Sequence, residues 1–222
     1  IEDYPYYDKT THSINIDAMM ETLNRVSAGD VVLLHGCCHN PTGADLQPEH
    51  WDQIADIALE REFIPFIDIA YQGLGQGLDA DAYGLRMMAE RLPELLVASS
   101  CSKNFGLYRE RTGSITLVAE SAEQAKIVSA QSMSIARQIY SMPPAHGALL
   151  VSLILGDDQL RANWQAELEE VRLRIKSMRT LLTDGINNNA AGLDFSHIKQ
   201  QQGMFSFLGI TSDQLNRLRE EF

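Results

Sequence analysis

The segment around Lys103 carries the residue types best suited to covalent chemistry in this sequence. It reads Ser100-Cys-Ser-Lys-Asn-Phe-Gly106 and follows directly on the apolar run Leu95–Ser99, with no other charge beside the lysine. A lysine partly withdrawn from water can present a neutral amine, which forms an imine with an aldehyde. The hydroxyls of Ser100 and Ser102, with free backbone N–H groups at a strand-to-helix turn, suit a phosphate. A lysine on a loop is usually only solvated, so a reactive lysine has to be argued from its companions.

A second polar group follows the apolar segment Phe63–Ile69. Asp68 lies inside that segment, and a carboxylate buried there needs a partner, because leaving it unpaired costs several kcal/mol. The partner is a backbone group, an arginine, or the protonated ring nitrogen of a cofactor, which becomes a stronger electron sink beside a carboxylate. Tyr71, three residues further on, could bind a phenolic oxygen of the same cofactor. Arg111 is either a member of a surface ion pair or a bidentate phosphate ligand.

A third polar loop, His35-Gly-Cys-Cys-His-Asn-Pro-Thr-Gly43, contains two histidines and two adjacent cysteines. The cluster of His35, Cys37, Cys38 and His39 permits a metal-binding interpretation. Adjacent cysteines lack the spacing of about two to four residues found in most structural zinc sites, and no second cysteine pair exists. We therefore expect the two cysteines to pack as small hydrophobic residues, with no metal. An odd total of three cysteines indicates a reducing, cytoplasmic setting.

Short apolar runs that alternate with amphipathic stretches predict the scaffold for these loops. We predict strands at Val31–His35, Phe63–Ile69, Leu95–Ser99 and Ser114–Ala119, and helices at Pro48–Arg61, Leu85–Leu92 and Glu123–Arg137. The alternation is typical of the α/β class, with a mainly parallel sheet sandwiched by helices. Ligands bind beyond the carboxyl ends of the strands in such sheets, so the three polar loops are expected to share one crevice.

A long helix is predicted after Asp157, where apolar residues recur every three or four positions. We place a domain change within it, near Glu170, so that residues 1–170 belong to a large domain and residues 171–222 to a smaller, truncated α+β domain. Beyond the helix, Asn187–Asn189 and Gly192 interrupt the pattern. The segment Met204–Phe207 is predicted as a strand, with a helix after it.

Composition and chain ends narrow the class of protein. Thirty acidic and eighteen basic residues give a net charge of −12, which repels nucleic-acid phosphates and anionic lipids, so we expect no nucleic-acid or membrane partner. The longest apolar run, Ala148–Leu155, is far shorter than the roughly 18 residues needed to cross a bilayer. The chain begins without methionine and ends at Leu218-Arg-Glu-Glu-Phe222 in the middle of a helical pattern, so we expect a fragment of a longer protein.

The polar loops together resemble one known family. His35–Gly43, Asp68-Ile-Ala-Tyr-Gln-Gly73 and Ser100-Cys-Ser-Lys-Asn-Phe-Gly-Leu-Tyr-Arg-Glu-Arg111 are similar to segments of the class I aspartate/aromatic aminotransferases, which depend on pyridoxal phosphate. Tyr140-Ser-Met-Pro-Pro-Ala-His-Gly147 and Gly203-Met-Phe-Ser-Phe207 are similar to further segments of that family. The similarity extends over nearly the whole chain in the same order. It implies the large domain of a fold type I enzyme and the beginning of the smaller domain.

The resemblance implies a role for each polar residue. Lys103 would carry pyridoxal 5'-phosphate as a Schiff base and shuttle the proton, while Asp68 would pair with the pyridine nitrogen. Asn40 and Tyr71 would hold the phenolic oxygen of the cofactor. The residues implied in cofactor phosphate binding are Ser100, Ser102 and Arg111. The residues implied in substrate binding, with the arginine acting on a side-chain carboxylate across a dimer interface, are Arg137, Asn40 and Ser141.

The same resemblance implies a homodimer that moves the amino group of aspartate or glutamate to a 2-oxo acid. It leaves an aromatic amino acid as the main substrate open, and Met142 stands where the aspartate enzymes often carry Asn. The family's Gly-Thr phosphate turn, ring-stacking tryptophan, neighbouring-subunit tyrosine and α-carboxylate arginine have no counterparts in this sequence. We therefore predict that these 222 residues are inactive alone. An inactive structural piece and a Cys/His metal-binding module are the remaining alternatives.

Overall fold

A four-stranded sheet forms the centre of the fold. The computed structural model describes residues 1–189 and 194–221. In that part of the chain the strands are β1 (Tyr7–Asp8), β2 (Ser13–Ile14), β3 (Val31–His35), β4 (Ile64–Ile69), β5 (Leu95–Ser100) and β6 (Gly113–Val118). β1 and β2 form a separate antiparallel hairpin, and the sheet has the order β3-β4-β5-β6. Its first three strands are parallel and β6 is antiparallel to β5, which confirms the predicted mainly parallel α/β sheet.

Helices make up most of the remaining described chain. Besides a short 3₁₀ helix at Ala80–Ala82, they are α1 (Ile16–Leu23), α2 (Pro48–Arg61), α3 (Tyr83–Arg91), α4 (Ala122–Tyr140), α5 (Ala145–Gly156), α6 (Asp158–Asn189), α7 (His197–Gln200) and α8 (Ser212–Glu221). Within residues 1–189 and 194–221, none of the helices combines the length and the apolar character that a membrane crossing requires.

Alternation of side chains along the strands separates the two faces of the sheet. The strand register places Leu34, Ile67 and Val97 side by side, and their exposed fractions are 0%, 0% and 2%. On the other face, Val31 and Leu33 are 54% and 48% exposed. One face of the sheet is therefore buried in the core, while the other stays partly open along β3.

Helix α2 supplies much of the core that covers the buried face. Trp51, Ile54 and Ala58 lie three or four positions apart and are all buried, as the apolar spacing predicts. Gly84 allows α3 to approach closely, because a Cβ at that position would lie 2.3 Å from the Trp51 ring. The predicted bounds of α2, from Pro48 to Arg61, are confirmed.

The predicted strand at Met204–Phe207 is wrong, and a buried arginine explains why. The segment lies in a stretch without helix or strand that precedes α8. The carbonyl oxygens of Gly203 and Phe205 accept hydrogen bonds from the side chain of Arg179 on α6 instead of from a neighbouring strand. The helix predicted after this segment is present as α8.

The other predicted elements are present, with ends that differ by a few residues. Helix α6 continues through Glu170 without interruption, so the division into residues 1–170 and 171–222 stays a prediction. The predicted interruption at Asn187–Asn189 is wrong, because these residues form the last turn of α6, where the Asn189 side-chain amide donates to the carbonyl of Gly185 at 2.7 Å. Gly192, also predicted to interrupt the helical pattern, lies outside the described residues. The hairpin of β1 and β2 and helices α1, α5 and α7 are additional to the predicted elements.

Candidate active site

Asp68 lies on the more open face of the sheet, near the carboxyl end of β4. The strand register places it beside His35 of β3 and Ala98 of β5. Burial lowers the pKa of His35, and the nearby Asp68 carboxylate opposes that change. Among the described residues, no side chain or backbone group forms a hydrogen bond or an ion pair with the Asp68 carboxylate. The carboxylate is half-buried and is therefore available to a partner from outside the protein.

Lys103 and Tyr71 are in contact, which joins the ends of β4 and β5. The Nζ atom of Lys103 lies 4.5 Å from the centroid of the Tyr71 ring. Tyr71 is 8% exposed and follows Asp68 by three residues, directly beyond β4. In residues 1–189 and 194–221, neither the Lys103 amine nor the Tyr71 hydroxyl forms a hydrogen bond. The loops that follow these two strands therefore meet at the carboxyl ends of the strands, as predicted, and a crevice shared by all three polar loops stays a prediction.

Helix α6 braces the loop that carries Lys103. The side-chain amide of Asn104 donates to the carbonyl of Gln72 at 3.1 Å, which ties this loop to the one after β4. Trp164 of α6 donates its indole N–H to the carbonyl of Asn104 at 2.8 Å. The Trp164 ring also stacks on Phe105, with centroids 4.3 Å apart and an interplanar angle of 11°. The two residues that follow the lysine are therefore held by the loop after β4 and by a helix sixty residues away.

Ser100 and Ser102 lie together immediately before Lys103, as their spacing predicts. The backbone N–H of Ser102 donates to the Ser100 hydroxyl at 3.1 Å, and Ser102 is 5% exposed. Arg111 is exposed, and its guanidinium donates to the carbonyl of Tyr108 at 2.9 Å. Within the described residues no hydrogen bond joins Arg111 to either serine. The structure therefore links the Ser100 hydroxyl to the backbone of Ser102 and leaves the arginine turned to its own loop.

The predicted substrate residues lie at the end of α4. Arg137 donates from Nη1 to the hydroxyl of Ser141 at 2.8 Å, and both residues are exposed. The expected proximity of Ser141 to Arg137 is therefore present. No hydrogen bond joins this pair to the Lys103 loop in the part of the chain that the structure describes.

Asn40 occupies an exposed position in the loop after β3. Asp45 holds that loop, because its carboxylate accepts hydrogen bonds from the backbone N–H groups of Cys38 at 2.7 Å and His39 at 2.8 Å. Burial raises the pKa of Asp45, and these two N–H donors oppose the change. The Tyr6 ring stacks on His39 with centroids 4.1 Å apart. Asn40 is thus presented at the surface by a loop whose base is buried.

The cysteine cluster differs from the metal site that the sequence permitted. Cys37 and Cys38 are buried and unbridged, and the group with metal-like proximity is Cys37, Cys38 and Asp81, without either histidine. The Asp81 carboxylate already accepts from three backbone N–H groups, those of Gly73, Gly75 and Gln76. A hydrogen bond with Cys38, together with burial, raises the pKa of the Cys37 thiol and keeps it protonated. These contacts favour a packed core over a cation site.

Three supporting residues escaped the sequence interpretation, although each had a signal. Asp81 follows a loop of three glycines, whose N–H groups need an acceptor. Trp164 lies among the apolar residues that recur along α6, yet an indole N–H withdrawn from water needs a partner. Arg179 lies in the same helix, and only the fold reveals that its side chain is 6% exposed.

The fold and the site together define an α/β protein with a lysine, a tyrosine and a carboxylate at the carboxyl ends of two parallel strands. The model of the family described as "Aminotransferase class I and II" matches residues 1–222 of this chain. The chain belongs to that family.

The most similar relatives are of two kinds. The chain is 51% identical to an aspartate aminotransferase of Haemophilus influenzae over 222 residues, which are 100% of this chain and 56% of that protein. It is 46% identical to an aromatic-amino-acid aminotransferase of Pseudomonas aeruginosa over 221 residues, covering 100% of this chain and 55% of that protein. The chain therefore spans about half the length of these relatives.

A solved structure agrees with this grouping. The aromatic-amino-acid aminotransferase of Burkholderia pseudomallei, covalently bound to pyridoxal phosphate, superposes with a TM-score of 0.96 at 44% identity. The match covers 99% of this chain and 55% of that one. The fold of the present chain is thus the fold of the corresponding part of a pyridoxal-phosphate enzyme.

Proposed function

We propose that this chain is the central part of an aminotransferase that binds pyridoxal 5'-phosphate on Lys103. The amino group of aspartate or glutamate would pass to a 2-oxo acid, and aromatic amino acids would be accepted as well. The observation that carries the proposal is the contact of the Lys103 amine with the Tyr71 ring at 4.5 Å, beyond the strand that holds Asp68. This contact lies in a chain whose whole length matches an aminotransferase family.

The residues present fit this cofactor. The Asp68 carboxylate, the Tyr71 hydroxyl and the Lys103 amine lie at one edge of the sheet, and none of them has a hydrogen-bond partner among the described residues. An aldehyde on a pyridine ring with a phenolic oxygen offers one complementary group to each of the three. Ser102, which is 5% exposed, and Ser100 lie beside the lysine with hydroxyls suited to a phosphate. When bound, the cofactor supplies an electron sink for the amino-acid Cα.

Each side chain of the site then has a definite task. Lys103 holds the cofactor by its amine and, when released, moves a proton at the substrate Cα. Asp68 keeps the ring nitrogen protonated, since a carboxylate beside it favours the charged form. Asn40 and Tyr71 bind the phenolic oxygen, and Ser100, Ser102 and Arg111 bind the phosphate. Arg111 has to turn from the Tyr108 carbonyl to do so.

Replacement of the lysine tests the proposal directly. Lys103→Ala in the complete gene product is expected to abolish the visible absorption of bound pyridoxal phosphate and to reduce transamination by at least about a thousandfold, because the removed group both anchors the cofactor and transfers the proton. Lys126→Ala, which replaces an exposed lysine on α4, is the matched control. A Lys103→Ala protein that keeps the absorption band would refute the assignment.

The aspartate preference is tested through Arg137. We propose that its guanidinium binds the distal carboxylate of dicarboxylic substrates, with Ser141 orienting it through the 2.8 Å hydrogen bond. Arg137→Leu should lower kcat/KM for aspartate by about a hundredfold or more, which corresponds to the loss of a charge-assisted pair. The rate with phenylalanine should change far less. Equal losses on both substrates would contradict the role, and faster wild-type turnover of phenylalanine would favour an aromatic aminotransferase.

We further propose that the protein acts as a homodimer through α4 and α5. Helix α4 has no buried residue. Large apolar side chains on these helices and between them are exposed: Ile127, Met133, Ile135, Ile139, Met142, Leu149 and Leu153. Exposed apolar side chains in such number are typical of surfaces that a partner covers. A sedimentation mass of one chain for the active, complete gene product would contradict the proposal.

A cytoplasmic location is proposed on the basis of the thiols. Cys37, Cys38 and Cys101 are all unbridged in the described residues, and free thiols persist in a reducing compartment. Fractionation of cells that produce the complete gene product tests this, and recovery in a membrane or secreted fraction would contradict it.

A further inference from the structure

Arg179 of α6 forms an unusual set of hydrogen bonds to one segment of backbone. Its Nε donates to the carbonyl of Gly203 at 2.7 Å and its Nη1 to that of Ile198 at 3.0 Å. Its Nη2 donates to the carbonyl of Gln202 at 2.9 Å and to that of Phe205. A single guanidinium therefore organises the backbone from residue 198 to residue 205, most of which belongs to no helix or strand.

The guanidinium is buried without a bonded counter-ion. Arg179 is 6% exposed, and within the described residues it forms no ion pair with a carboxylate. Burial lowers the pKa of Arg179, and the nearby Cys38 and Asp45 oppose that change. A buried charge without a direct partner is costly, so the four carbonyl oxygens that it binds are its main stabilisation. Displacement of this segment would therefore remove hydrogen bonds from the guanidinium, and loss of the guanidinium would leave the segment without the hydrogen bonds that position it.

The same segment contacts Tyr71 of the candidate site. The Phe205 ring meets the Tyr71 ring edge to face, with centroids 5.6 Å apart and an interplanar angle of 89°. Tyr71 in turn contacts the Lys103 amine at 4.5 Å. Gly203 packs on Cys38, since a Cβ on the glycine would lie 2.5 Å from the cysteine Cβ. The position of the Tyr71 ring is thus coupled to Arg179 through a single residue.

A second connection leads from Arg179 to the loop that carries Asn40. The backbone N–H of Gln202 donates to the carbonyl of Gly43 at 2.7 Å, and the N–H of Gly43 donates to the carbonyl of His39 at 2.6 Å. Gly43 has φ of +72°, and a Cβ there would lie 2.9 Å from Nη2 of Arg179. Both loops that flank the proposed phenolic-oxygen site are therefore held by contacts of one buried arginine.

We propose that Arg179 is a positioning residue for the Lys103 site. It holds the segment 198–205 so that Phe205 fixes the Tyr71 ring and Gln202 fixes the Asn40 loop. The inference rests on the proposed function, because the property that it predicts to change is the absorption of the cofactor bound at Lys103. Arg179 touches neither Tyr71 nor Lys103 in the described hydrogen bonds, so it acts through Phe205 and Gln202.

Loss of this positioning should shift the pH midpoint of the cofactor absorption in one direction. In the proposed site the Tyr71 hydroxyl donates to the phenolic oxygen, and a hydrogen bond to an anion favours the less protonated form. A Tyr71 ring that is less well fixed makes this bond less often. The pH at which the visible absorption of the lysine-bound cofactor changes should therefore rise when Arg179 or Phe205 is altered.

Three variants and a control test this in the complete gene product. Arg179→Lys keeps the charge but cannot reach four carbonyl oxygens with three donors. Phe205→Leu keeps the guanidinium contacts and removes the ring from Tyr71, and the double variant combines both. Arg172→Lys is the control, because that arginine lies on the same helix and bonds Glu169 within α6. The measurements are the pH midpoint of the visible band and hydrogen exchange of the amides at 203–207 in the cofactor-free protein.

Arg179→Lys and Phe205→Leu should each raise the midpoint by about half a pH unit or more, a roughly threefold change in proton affinity. The double variant should not exceed the effect of Arg179→Lys, since Phe205 is one of the two residues through which Arg179 acts. Hydrogen exchange of the amides at 203–207 should be faster in Arg179→Lys and in the double variant, but not in Phe205→Leu. An unchanged or lowered midpoint in Arg179→Lys, or additive shifts, would overturn the inference. If Arg179→Lys is insoluble, Phe205→Leu decides: a raised midpoint supports the inference, and an unchanged one overturns it.

These outcomes are distinct from a failure of the proposed function. If the wild-type protein has no visible absorption band that depends on Lys103, the aminotransferase proposal itself is contradicted. A wild-type band that depends on Lys103, but whose midpoint does not change with Arg179, would remove only the positioning role.

Discussion

Two regions of the molecule differ in the burial of their apolar side chains. The first region runs from β3 to the Lys103 loop, and the second consists of α4 and α5. The first region contributes most of the buried core, including Leu34, Trp51 and Ile67. In the second, α4 has no buried residue and α5 has only Gly147. The apolar side chains of the first region are therefore buried, whereas the second region presents apolar surface that residues 1–189 and 194–221 do not cover.

Polar contacts are also more withdrawn from solvent in the first region than in the second. In the first region, the half-buried Asp45 and the buried Asp81 hold loops by their backbone N–H groups. In the second, contacts such as that of His146 Nδ1 with Glu110 at 2.9 Å lie at the surface, where pairs contribute little to stability. The comparison indicates that the chain alone determines the geometry around Lys103, whereas Arg137 depends on whatever covers α4.

The largest effect is expected where a buried carboxylate serves several donors. Asp81→Ala leaves the N–H groups of Gly73, Gly75 and Gln76 without their acceptor and should lower the free energy of unfolding by about 3 kcal/mol. Asp79→Ala, which removes only an exposed pair with Arg86, should cost less than about 1 kcal/mol. Urea denaturation of both variants measures the difference. Equal, small losses would mean that the first region is not held by its buried carboxylate.

A pH dependence of stability should come from His39 in the first region. Burial, and to a lesser extent the neighbouring His35, lowers the pKa of His39 to about 4. Its folded pKa is below the unfolded value of about 6.5, so the unfolded state binds more protons and stability is lost as the pH falls from about 6.5 towards 4. The loss should be of the order of 1 kcal/mol by pH 5, discounted for partial exposure. Denaturation at pH 7.5 and pH 5 measures it.

A matched variant isolates this histidine from the other titrating groups. His39→Gln removes the titration while keeping a polar side chain near Thr42, whose hydroxyl lies 2.7 Å from His39 Nδ1. The difference in unfolding free energy between the two pH values should be smaller in this variant than in the wild type. An identical difference in both proteins would assign the acid sensitivity to other groups.

A smaller effect is expected where α6 braces the Lys103 loop. Trp164→Phe keeps an aromatic ring against Phe105 but removes the indole hydrogen bond to the Asn104 carbonyl. The expected loss is about 1 kcal/mol of unfolding free energy, with faster hydrogen exchange at residues 104–106. Tyr83→Phe, at an exposed aromatic residue, is the control. A loss no larger than that of the control would show that the loop is fixed without α6.

The sequence was sufficient for the sheet and for the loops at its carboxyl ends. Short apolar runs rich in branched side chains, such as Val31–His35, predict strands of an α/β sheet, and the spacing in α2 predicts its buried face. The contact between Lys103 and Tyr71 follows from the rule that such loops converge at one edge. Local patterns therefore captured those parts of the site that are adjacent to strands.

The remainder required long-range contacts that no local pattern encodes. The strand predicted at Met204–Phe207 fails because Arg179, more than twenty residues earlier, takes its carbonyl oxygens. The bracing of Asn104 by Trp164 spans sixty residues. Apolar spacing in α6 predicts which face is buried, but not that an arginine lies within that face.

The smallest effect on folding is expected on the exposed face of α4. Ile139 is 73% exposed, so Ile139→Asp should change the unfolding free energy of the chain by less than about 0.5 kcal/mol. In the assembled protein the same change places a charge in the proposed apolar interface and should raise the dissociation constant by at least about a hundredfold, because an unpaired charge buried there is costly.

Gln131→Asp adds the same charge at an exposed polar position of α4 and serves as the control for both quantities. Sedimentation equilibrium of the complete gene product measures association, and urea denaturation measures folding. A dimer unaffected by Ile139→Asp would mean that something other than a second copy covers α4. Arg137 would then reach its substrate within one subunit. The two regions would then differ in exposure to solvent, and not in whether a second subunit covers them.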